Sequence, residues 1–293
     1  MFKGSIPALV TPMRDDGAID LDAWDRLLDF HLREGTDAVV VGGTTGESPV
    51  LDPRELEELV RRAKARLGAS MPVIAGSGTN GTSKSIALSR AAEAAGADAL
   101  LLVTPYYNKP TQEGLFRHFT AIADAVRVPV ILYNVPGRTA CDMLPETIAR
   151  LSRHPRVAGV KEATGEVARG EAVLRLSRPG FLLLSGDDPT AAELIRIGAR
   201  GVISVTANVA ARAMHELCEA GLAGAHDEAA AINERLMPLH KALFLESNPI
   251  PVKWAVHRLG LIGPGIRLPL TPLSAPLREP LESAMVAAGV ELP

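Results

Sequence analysis

Val157-Ala158-Gly159-Val160-Lys161-Glu162-Ala163 is a short run of small and apolar residues that surrounds a lysine. The run lacks helical spacing and therefore predicts a fully buried strand that ends at Lys161. Alternation places Val157, Gly159 and Lys161 on one face, and the glycine is expected to leave open space beneath the lysine. Burial disfavours the ammonium form, so the amine becomes a candidate nucleophile. The alternative is an ordinary lysine that reaches into solvent from a strand end.

This strand belongs to a series of eight predicted strand–helix units. The strands are short and apolar, as is typical of a parallel sheet covered by helices. Eight such units predict an α/β protein with a (β/α)8 TIM barrel. A doubly wound sheet is the alternative, because periodicity does not reveal closure. The predicted strands cover residues 5–10, 38–41, 72–75, 99–103, 130–133, 157–161, 181–184 and 201–205.

Helices are predicted after each strand. Asp20 begins the first helix, and Asp52 is the expected N-cap of the second, with Pro53 at its first position. The other barrel helices are predicted over residues 82–95, from 112, from 145, over 167–176, from 189 and over 209–218.

The chain divides into a catalytic barrel, residues 1–222, and a C-terminal helical extension, residues 223–293. The extension is expected to pack on the barrel, because no linker rich in glycine, serine or proline separates the two parts. Its predicted helices cover residues 225–245, 252–259 and 277–288.

Composition narrows the class of protein. The 293 residues are 47% hydrophobic and 22% charged, with a net charge of -3, which is ordinary for a globular protein. Nucleic acid and anionic membranes are unlikely partners for such a chain. No apolar run approaches the ~20 residues that span a bilayer, and the N-terminus does not resemble a signal peptide. Cys141 and Cys218 are expected to be reduced thiols of a cytoplasmic protein.

Unusual polar residues collect where the chemistry of a TIM barrel takes place, at the C-terminal ends of the strands. Independent loops supply them, which packing alone does not readily explain. The residues are Thr44 and Thr45 after strand 2, Tyr107 after strand 4, Tyr133 at the end of strand 5, Arg138 in the next loop, Lys161 and Gly186.

Each of these residues has a structural alternative. Tyr133 lies one strand from Lys161, where its phenol could transfer protons, but most strand-end tyrosines only meet water. Arg138 could bind a substrate carboxylate through its guanidinium, although turn arginines are usually solvated. The loop at 42–46, Gly-Gly-Thr-Thr-Gly, could be a flexible turn or an anion site made of N–H groups and two hydroxyls.

Two other kinds of site are not supported by the sequence. Residues 76–81, Gly-Ser-Gly-Thr-Asn-Gly, match a dinucleotide-binding pattern, but they follow the third strand rather than the first. We interpret them as a structural turn. The seven histidines have no metal-ligand spacing, so no catalytic metal is expected.

Three motifs together resemble a known family. They are Gly-Thr-Thr-Gly-Glu at 43–47, Tyr-Asn-Val-Pro-Gly-Arg-Thr at 133–139 and Gly-Val-Lys-Glu-Ala at 159–163. With these motifs the chain resembles the 4-hydroxy-tetrahydrodipicolinate (dihydrodipicolinate) synthases, which are class I pyruvate aldolases. The likeness extends along the chain and includes residues 104–108, 184–188, 201–205 and 248–253.

The resemblance implies roles for the candidate residues. Lys161 would form a Schiff base with pyruvate, Thr45 would hold the pyruvate carboxylate, and the Ile203 backbone would lie beside the keto acid. Tyr133, Thr44 and Tyr107 would relay protons, with Tyr107 contributed by a neighbouring subunit. Arg138 would bind the carboxylate of aspartate semialdehyde. The implied enzyme is a cytoplasmic homotetramer, a dimer of dimers, in lysine and diaminopimelate biosynthesis, and it needs no cofactor because the lysine supplies the electron sink.

One part of the family pattern is missing. Lysine-inhibited relatives commonly carry His, His and Glu at the positions of Pro53, Leu56 and Lys84, where they help to bind the effector. Here two side chains are apolar and Lys84 would repel an ammonium group. We therefore expect weak inhibition by L-lysine or none.

Two other functions are open at this point. A sialic-acid-type or keto-deoxy-sugar aldolase would use the same lysine with another aldehyde. A non-catalytic barrel that binds a keto acid would keep the fold without the chemistry. Arg138 and the pair Thr44-Thr45 favour the synthase over the sugar aldolase, and the presence of both Lys161 and Tyr133 argues against the binding protein.

Overall fold

A closed barrel of eight parallel strands forms the centre of the computed structural model, which describes residues 2–293. Each strand pairs with its neighbours in the sequence, and β1 pairs with β8. Closure between β1 and β2 comes from a parallel bridge, Ala8 to Val40, and from the Leu9 N–H, which donates to the Val40 carbonyl at 2.9 Å. The TIM-barrel prediction is confirmed, and the doubly wound alternative is wrong. The strands are β1 Gly4–Pro7, β2 Val39–Val41, β3 Val73–Gly76, β4 Ala99–Val103, β5 Val130–Asn134, β6 Val157–Glu162, β7 Leu182–Ser185 and β8 Gly201–Ser204.

Helices cover the outside of the barrel and continue into the C-terminal segment. Two 3₁₀ turns, Ser48–Val50 and Thr206–Asn208, follow β2 and β8. The short helix α5 was not expected from the sequence. The helices are α1 Leu21–Arg33, α2 Pro53–Leu67, α3 Thr82–Ala94, α4 Gln112–Asp124, α5 Pro136–Thr139, α6 Pro145–Ser152, α7 Val167–Leu176, α8 Ala191–Arg196, α9 Ala211–Leu222, α10 His226–Ala242, α11 Ile250–Arg258 and α12 Ala275–Ala287.

The start of α2 shows why local sequence predicted these boundaries well. The Asp52 carboxylate accepts from the Arg54 N–H at 2.9 Å, and the Glu55 carboxylate accepts from the Asp52 N–H at 2.9 Å. This capping box satisfies N–H groups that have no partner inside the helix, and Pro53 at the first helical position needs none. The Asp20 carboxylate caps α1 in a similar way.

Two apolar layers stabilise the barrel. The inner layer lies within it and includes Ile6, Val40, Leu101, Ile131 and Ile203. The outer layer lies between strands and helices and continues into the C-terminal helices through residues such as Leu236, Val252 and Leu281. The extension therefore packs on the barrel by one continuous core. The division at residue 222 itself stays a prediction.

Two expectations about β6 are wrong, namely that Val157 shares a face with Lys161 and that Gly159 leaves open space. Val157 and Val160 both belong to the outer layer, although three positions separate them. The pairing with β5 shifts between Val130 and Ile131, so Ala158 is an extra residue and the alternation restarts after it. Val157 therefore does not share a face with Lys161. Gly159 leaves no open space either, because a Cβ there would lie 2.5 Å from the Leu182 carbonyl oxygen of β7.

A buried ion pair joins the loop after β2 to the C-terminal extension. The Lys253 ammonium of α11 contacts the Glu47 carboxylate, and both side chains are buried. The second oxygen of Glu47 accepts from the Arg267 N–H at 3.0 Å, and the Arg267 guanidinium binds Glu55 in a bidentate ion pair. Burial lowers the pKa of Lys253, while its contact with Glu47 opposes that shift. The loop and the extension are thus held together by charge as well as by apolar packing.

Both cysteines are buried and free, in agreement with reduced thiols. Burial raises the pKa of each thiol, which disfavours the reactive thiolate. Among residues 2–293, no helix combines the length and the apolar character needed to cross a membrane.

We predict that Lys253→Met lowers the free energy of unfolding by about 3–5 kcal/mol, because it leaves the Glu47 carboxylate buried without its cation. Urea denaturation at one protein concentration measures the loss. Lys241→Met is the matched control, since Lys241 is exposed in the last turn of α10. Equal stability of the two variants would contradict a structural role for the ion pair.

Candidate active site

Lys161 and Tyr133 lie side by side at the C-terminal ends of neighbouring strands. The two residues are register partners of β5 and β6, and both side chains point into the barrel. Lys161 Nζ lies 4.2 Å from the centroid of the Tyr133 ring. Their exposures are 5% and 6%, so the amine and the phenol lie together in surroundings that exclude most water. The structure brings these two predicted residues together.

Two buried lysines differ in their surroundings. Lys253 is neutralised by the Glu47 carboxylate, whereas Lys161 faces an aromatic ring. An amine that stabilises a carboxylate by charge is not available as a nucleophile. Lys161 is therefore the better candidate for covalent chemistry.

Gly186 and Ile203 shape the walls around the lysine. A Cβ at Gly186 would lie 3.0 Å from Lys161 Cε and 2.6 Å from the Ala163 side chain, so glycine leaves room for the lysine chain. Ile203 is buried in the inner layer at β8, in the same cluster as Tyr133 and Leu184. Both residues lie at the predicted mouth of the barrel.

The loop at 43–47 is tightly folded rather than flexible. The Gly46 N–H donates to the Gly43 carbonyl at 3.0 Å, and the Thr11 hydroxyl donates to the Gly46 carbonyl at 2.7 Å. Thr45 is buried, and its Oγ1 accepts from Asn248 Nδ2 at 3.1 Å. Thr44 is half-buried and lines a cavity together with Tyr133. The two hydroxyls therefore have different neighbours.

Arg138 lies on α5 directly after β5 and is exposed. Its Nη2 donates to the Asn248 carbonyl at 3.2 Å, which orients the guanidinium. Arg138 lines one cavity with Thr44 and Tyr106. A carboxylate that entered this cavity would meet a charged donor at its rim.

Tyr107 is the one predicted catalytic residue that the fold does not bring to the others. Its side chain is 88% exposed. Among the described residues, it does not line the cavity that Thr44 and Arg138 share. Its backbone has a positive φ of 73°, and its N–H donates to the Thr139 carbonyl at 3.4 Å. A phenol held outward in this way does not contribute to the cavity of its own chain.

Residues 76–81 form part of the cavity wall, and two glycines allow close approach of the backbone. A Cβ at Gly76 would lie 2.2 Å from the Gly42 carbonyl oxygen, and one at Gly78 would lie 2.4 Å from the Val103 nitrogen. The pattern is therefore explained by packing of neighbouring strand ends.

Sequence reasoning missed three residues that support the site. Asn248 contacts Thr45 and Arg138, while Glu47 and Lys253 tie the same loop to α11. One signal was available, since an Asn-Pro turn precedes an apolar helix that contains an unexplained lysine.

Glu162 is adjacent to Lys161 but faces the other side of β6, where its carboxylate accepts from Asn134 and from the Thr164 N–H at 3.0 Å. Burial raises the pKa of Glu162.

A buried amine beside a phenol, near two hydroxyls and an arginine, suits covalent chemistry on a carbonyl acid. Within residues 2–293, no group of three or more His, Cys, Asp and Glu side chains is arranged to hold a metal ion. The groups that the site offers are a buried amine, a phenol, two hydroxyls and a guanidinium.

Comparison with known proteins places the chain in one family. The model of the dihydrodipicolinate synthetase family matches residues 1–288. The 4-hydroxy-tetrahydrodipicolinate synthase of Stutzerimonas stutzeri is 60% identical over 290 residues and 99% of both chains, and that of Pseudomonas aeruginosa is 58% identical over the same share. The dihydrodipicolinate synthase of Acinetobacter baumannii, crystallised with pyruvate, is 49% identical, with a TM-score of 0.98 over 99% of this chain and 100% of that one. The dihydrodipicolinate synthase of Cyanidioschyzon merolae, crystallised with lysine, is 39% identical, with a TM-score of 0.96 over 99% of each chain. The chain belongs to the dihydrodipicolinate synthetase family.

Proposed function

We propose that the protein is a 4-hydroxy-tetrahydrodipicolinate synthase that condenses pyruvate with L-aspartate 4-semialdehyde. The observation that carries the proposal is Lys161 Nζ, buried at the barrel mouth 4.2 Å from the centroid of the Tyr133 ring. Relatives that are about 60% identical over nearly the whole chain carry this name, which supports the same chemistry here. The reaction would take place in the cytoplasm, in lysine and diaminopimelate biosynthesis.

The reaction begins with the Lys161 amine. The amine attacks the keto carbon of pyruvate, and loss of water leaves an iminium ion that acidifies the adjacent methyl group. Removal of a methyl proton gives an enamine, with the lysine nitrogen as the electron sink. Tyr133 and Thr44, which line one cavity, transfer the protons of these steps.

The enamine then forms the new carbon–carbon bond. Its nucleophilic carbon attacks the aldehyde of aspartate semialdehyde, and the amine of that substrate displaces Lys161 as the ring closes. The lysine is released unchanged, so the cycle balances without a redox partner. Thr45 binds the pyruvate carboxylate, Ile203 lies against the keto acid, Gly186 leaves room for the bound intermediate, and Arg138 binds the second carboxylate.

The alternative, a pyruvate aldolase acting on a sugar keto acid, is not supported by the relatives, since those about 60% identical carry the synthase name. Its Schiff-base chemistry would use the same Lys161. Arg138 at the cavity rim favours a substrate with a free carboxylate near the aldehyde, which aspartate semialdehyde has. Relative turnover of aspartate semialdehyde and of sugar keto acids separates the two candidates.

The active assembly is proposed to be a homotetramer built from two tight dimers. Tyr107 supports this proposal, because its outward side chain and positive φ suit a residue that reaches into a neighbouring subunit. In a two-fold dimer each chain would give its Tyr107 to the other site.

We predict that borohydride reduction in the presence of pyruvate attaches a three-carbon adduct to Lys161. Peptide mass mapping locates the adduct, and Lys161→Ala abolishes it because no nucleophile replaces the amine. The peptide that contains Lys253 is the internal control and stays unmodified, since that ammonium is held in an ion pair. An adduct that persists in Lys161→Ala would falsify the mechanism.

We predict that two inactive variants complement each other if Tyr107 acts between subunits. In a mixed dimer of Lys161→Ala and Tyr107→Phe chains, one of the two sites has its own lysine and the partner's tyrosine. Purified mixed dimers should therefore recover roughly half of the wild-type activity, since one site in each pair is complete. Each variant alone serves as the control. Mixed dimers as inactive as the parents would show that Tyr107 acts within its own chain.

We predict that L-lysine inhibits this protein weakly or not at all. Pro53 and Leu56 line the cavity that Ser48 and Tyr106 also line, so apolar surface stands where the ammonium group of an effector would need a partner. An inhibition titration at fixed substrate should give a half-point above about 1 mM, which corresponds to a weak complex. Half-inhibition well below that concentration would contradict the interpretation.

A further inference from the structure

Asn248 connects the two residues that are proposed to bind the substrate carboxylates. It lies two residues before α11 and is only 5% exposed. Its Nδ2 donates to Thr45 Oγ1 at 3.1 Å, and its backbone carbonyl accepts from Arg138 Nη2 at 3.2 Å. One residue of the C-terminal extension thus contacts loops that follow two different strands of the barrel.

The side-chain contact determines which way the Thr45 hydroxyl can donate. A threonine hydroxyl has one hydrogen and two acceptor positions. Since Oγ1 accepts from Asn248, the hydroxyl hydrogen stays free for another acceptor. A carboxylate beside Thr45 would receive that hydrogen in a charge-assisted bond. Asn248 thereby makes Thr45 a donor to an anion.

Stability alone does not explain this asparagine. Its Oδ1 is buried and has no hydrogen-bond partner within residues 2–293. A buried carbonyl without a partner is unfavourable, and native proteins keep few of them. An apolar side chain of similar size would avoid that cost but would lose the contact with Thr45.

The rest of the segment holds Asn248 in place. The Ile250 N–H donates to the Ser247 carbonyl at 2.9 Å, which closes the turn before α11. Lys253, five residues beyond Asn248, pairs with Glu47, two residues beyond Thr45. The loop at 43–47 and the start of α11 are therefore joined at two points, and a joint of this kind limits rotation of the loop.

We propose that Asn248 is a positioning residue that sets the Thr45 hydroxyl for the carboxylate of pyruvate and holds Arg138 for the carboxylate of the second substrate. The proposal rests on the proposed function. It makes the C-terminal extension part of the binding site rather than only a support for the barrel.

Borohydride trapping of pyruvate on Lys161 tests the proposal without the second substrate. In Asn248→Ala, the pyruvate concentration for half-maximal trapping should rise about tenfold, as expected for loss of one charge-assisted hydrogen bond. Maximal trapping at saturating pyruvate should be unchanged, because Lys161 is not altered. Asn233→Ala is the matched control, since that partly buried amide binds the Pro189 carbonyl away from the site.

Asn248→Asp separates positioning from packing, because the two side chains have nearly the same shape. The carboxylate would accept the Thr45 hydroxyl hydrogen and repel the pyruvate carboxylate. Half-maximal trapping should then need even more pyruvate than in Asn248→Ala. Wild-type pyruvate dependence in Asn248→Asp would overturn the proposal.

A double-mutant cycle adds a result that a purely structural role would not produce. Thr45→Val removes the hydroxyl, so Asn248→Ala in that background should have no further effect on half-maximal trapping. Equal effects of Asn248→Ala with and without the Thr45 hydroxyl would overturn the proposal. Absence of any Lys161 adduct in the wild-type protein would instead refute the proposed function.

Discussion

The buried ion pair between Glu47 and Lys253 is the contact on which the site depends. Each charge loses its hydration on burial, at a cost of several kcal/mol, and only close pairing with further hydrogen bonds offsets that cost. Here the second oxygen of Glu47 accepts from the Arg267 N–H. Because these charges require one arrangement, they specify how the extension lies against the loop at 43–47. The position of the Thr45 hydroxyl follows from that arrangement.

The pairing register of the barrel strands determines the relative positions of Tyr133 and Lys161. Tyr133 and Lys161 are partners on adjacent parallel strands, so their side chains point to the same side at the same height. The extra residue at Ala158 returns Lys161 to the interior after Val157 has faced the helices. Strict alternation counted from Val157 would instead place Lys161 in the outer layer. A local irregularity in one strand therefore determines on which side the nucleophile lies.

Local signals predicted the elements, and long-range contacts escaped prediction. The strand ranges agree with the structure to within three residues at each end, Asp20 was recognised as the start of a helix, and Asp52 was recognised as a cap. The bulge at Ala158 left no signal, because it arises from pairing with β5. Contacts such as Thr45 with Asn248 span 203 residues, and nothing in either neighbourhood indicates the partner. Lys161 and Tyr133 were identified because strand ends converge in a barrel.

Tyr107 carries two energetic costs that contacts within its own chain do not offset. A tyrosine with φ near 73° is held in a conformation that costs about 1–3 kcal/mol for a residue with a Cβ. Its ring is also left in water, where it contributes no packing energy. Neither cost is offset within the chain by a buried contact of the ring. Burial of the ring against another subunit would offset both, since an aromatic side chain contributes a large apolar area. The backbone conformation that is costly for Tyr107 also directs its phenol away from its own barrel. A phenol directed outward is what an exchange of tyrosines between two sites requires.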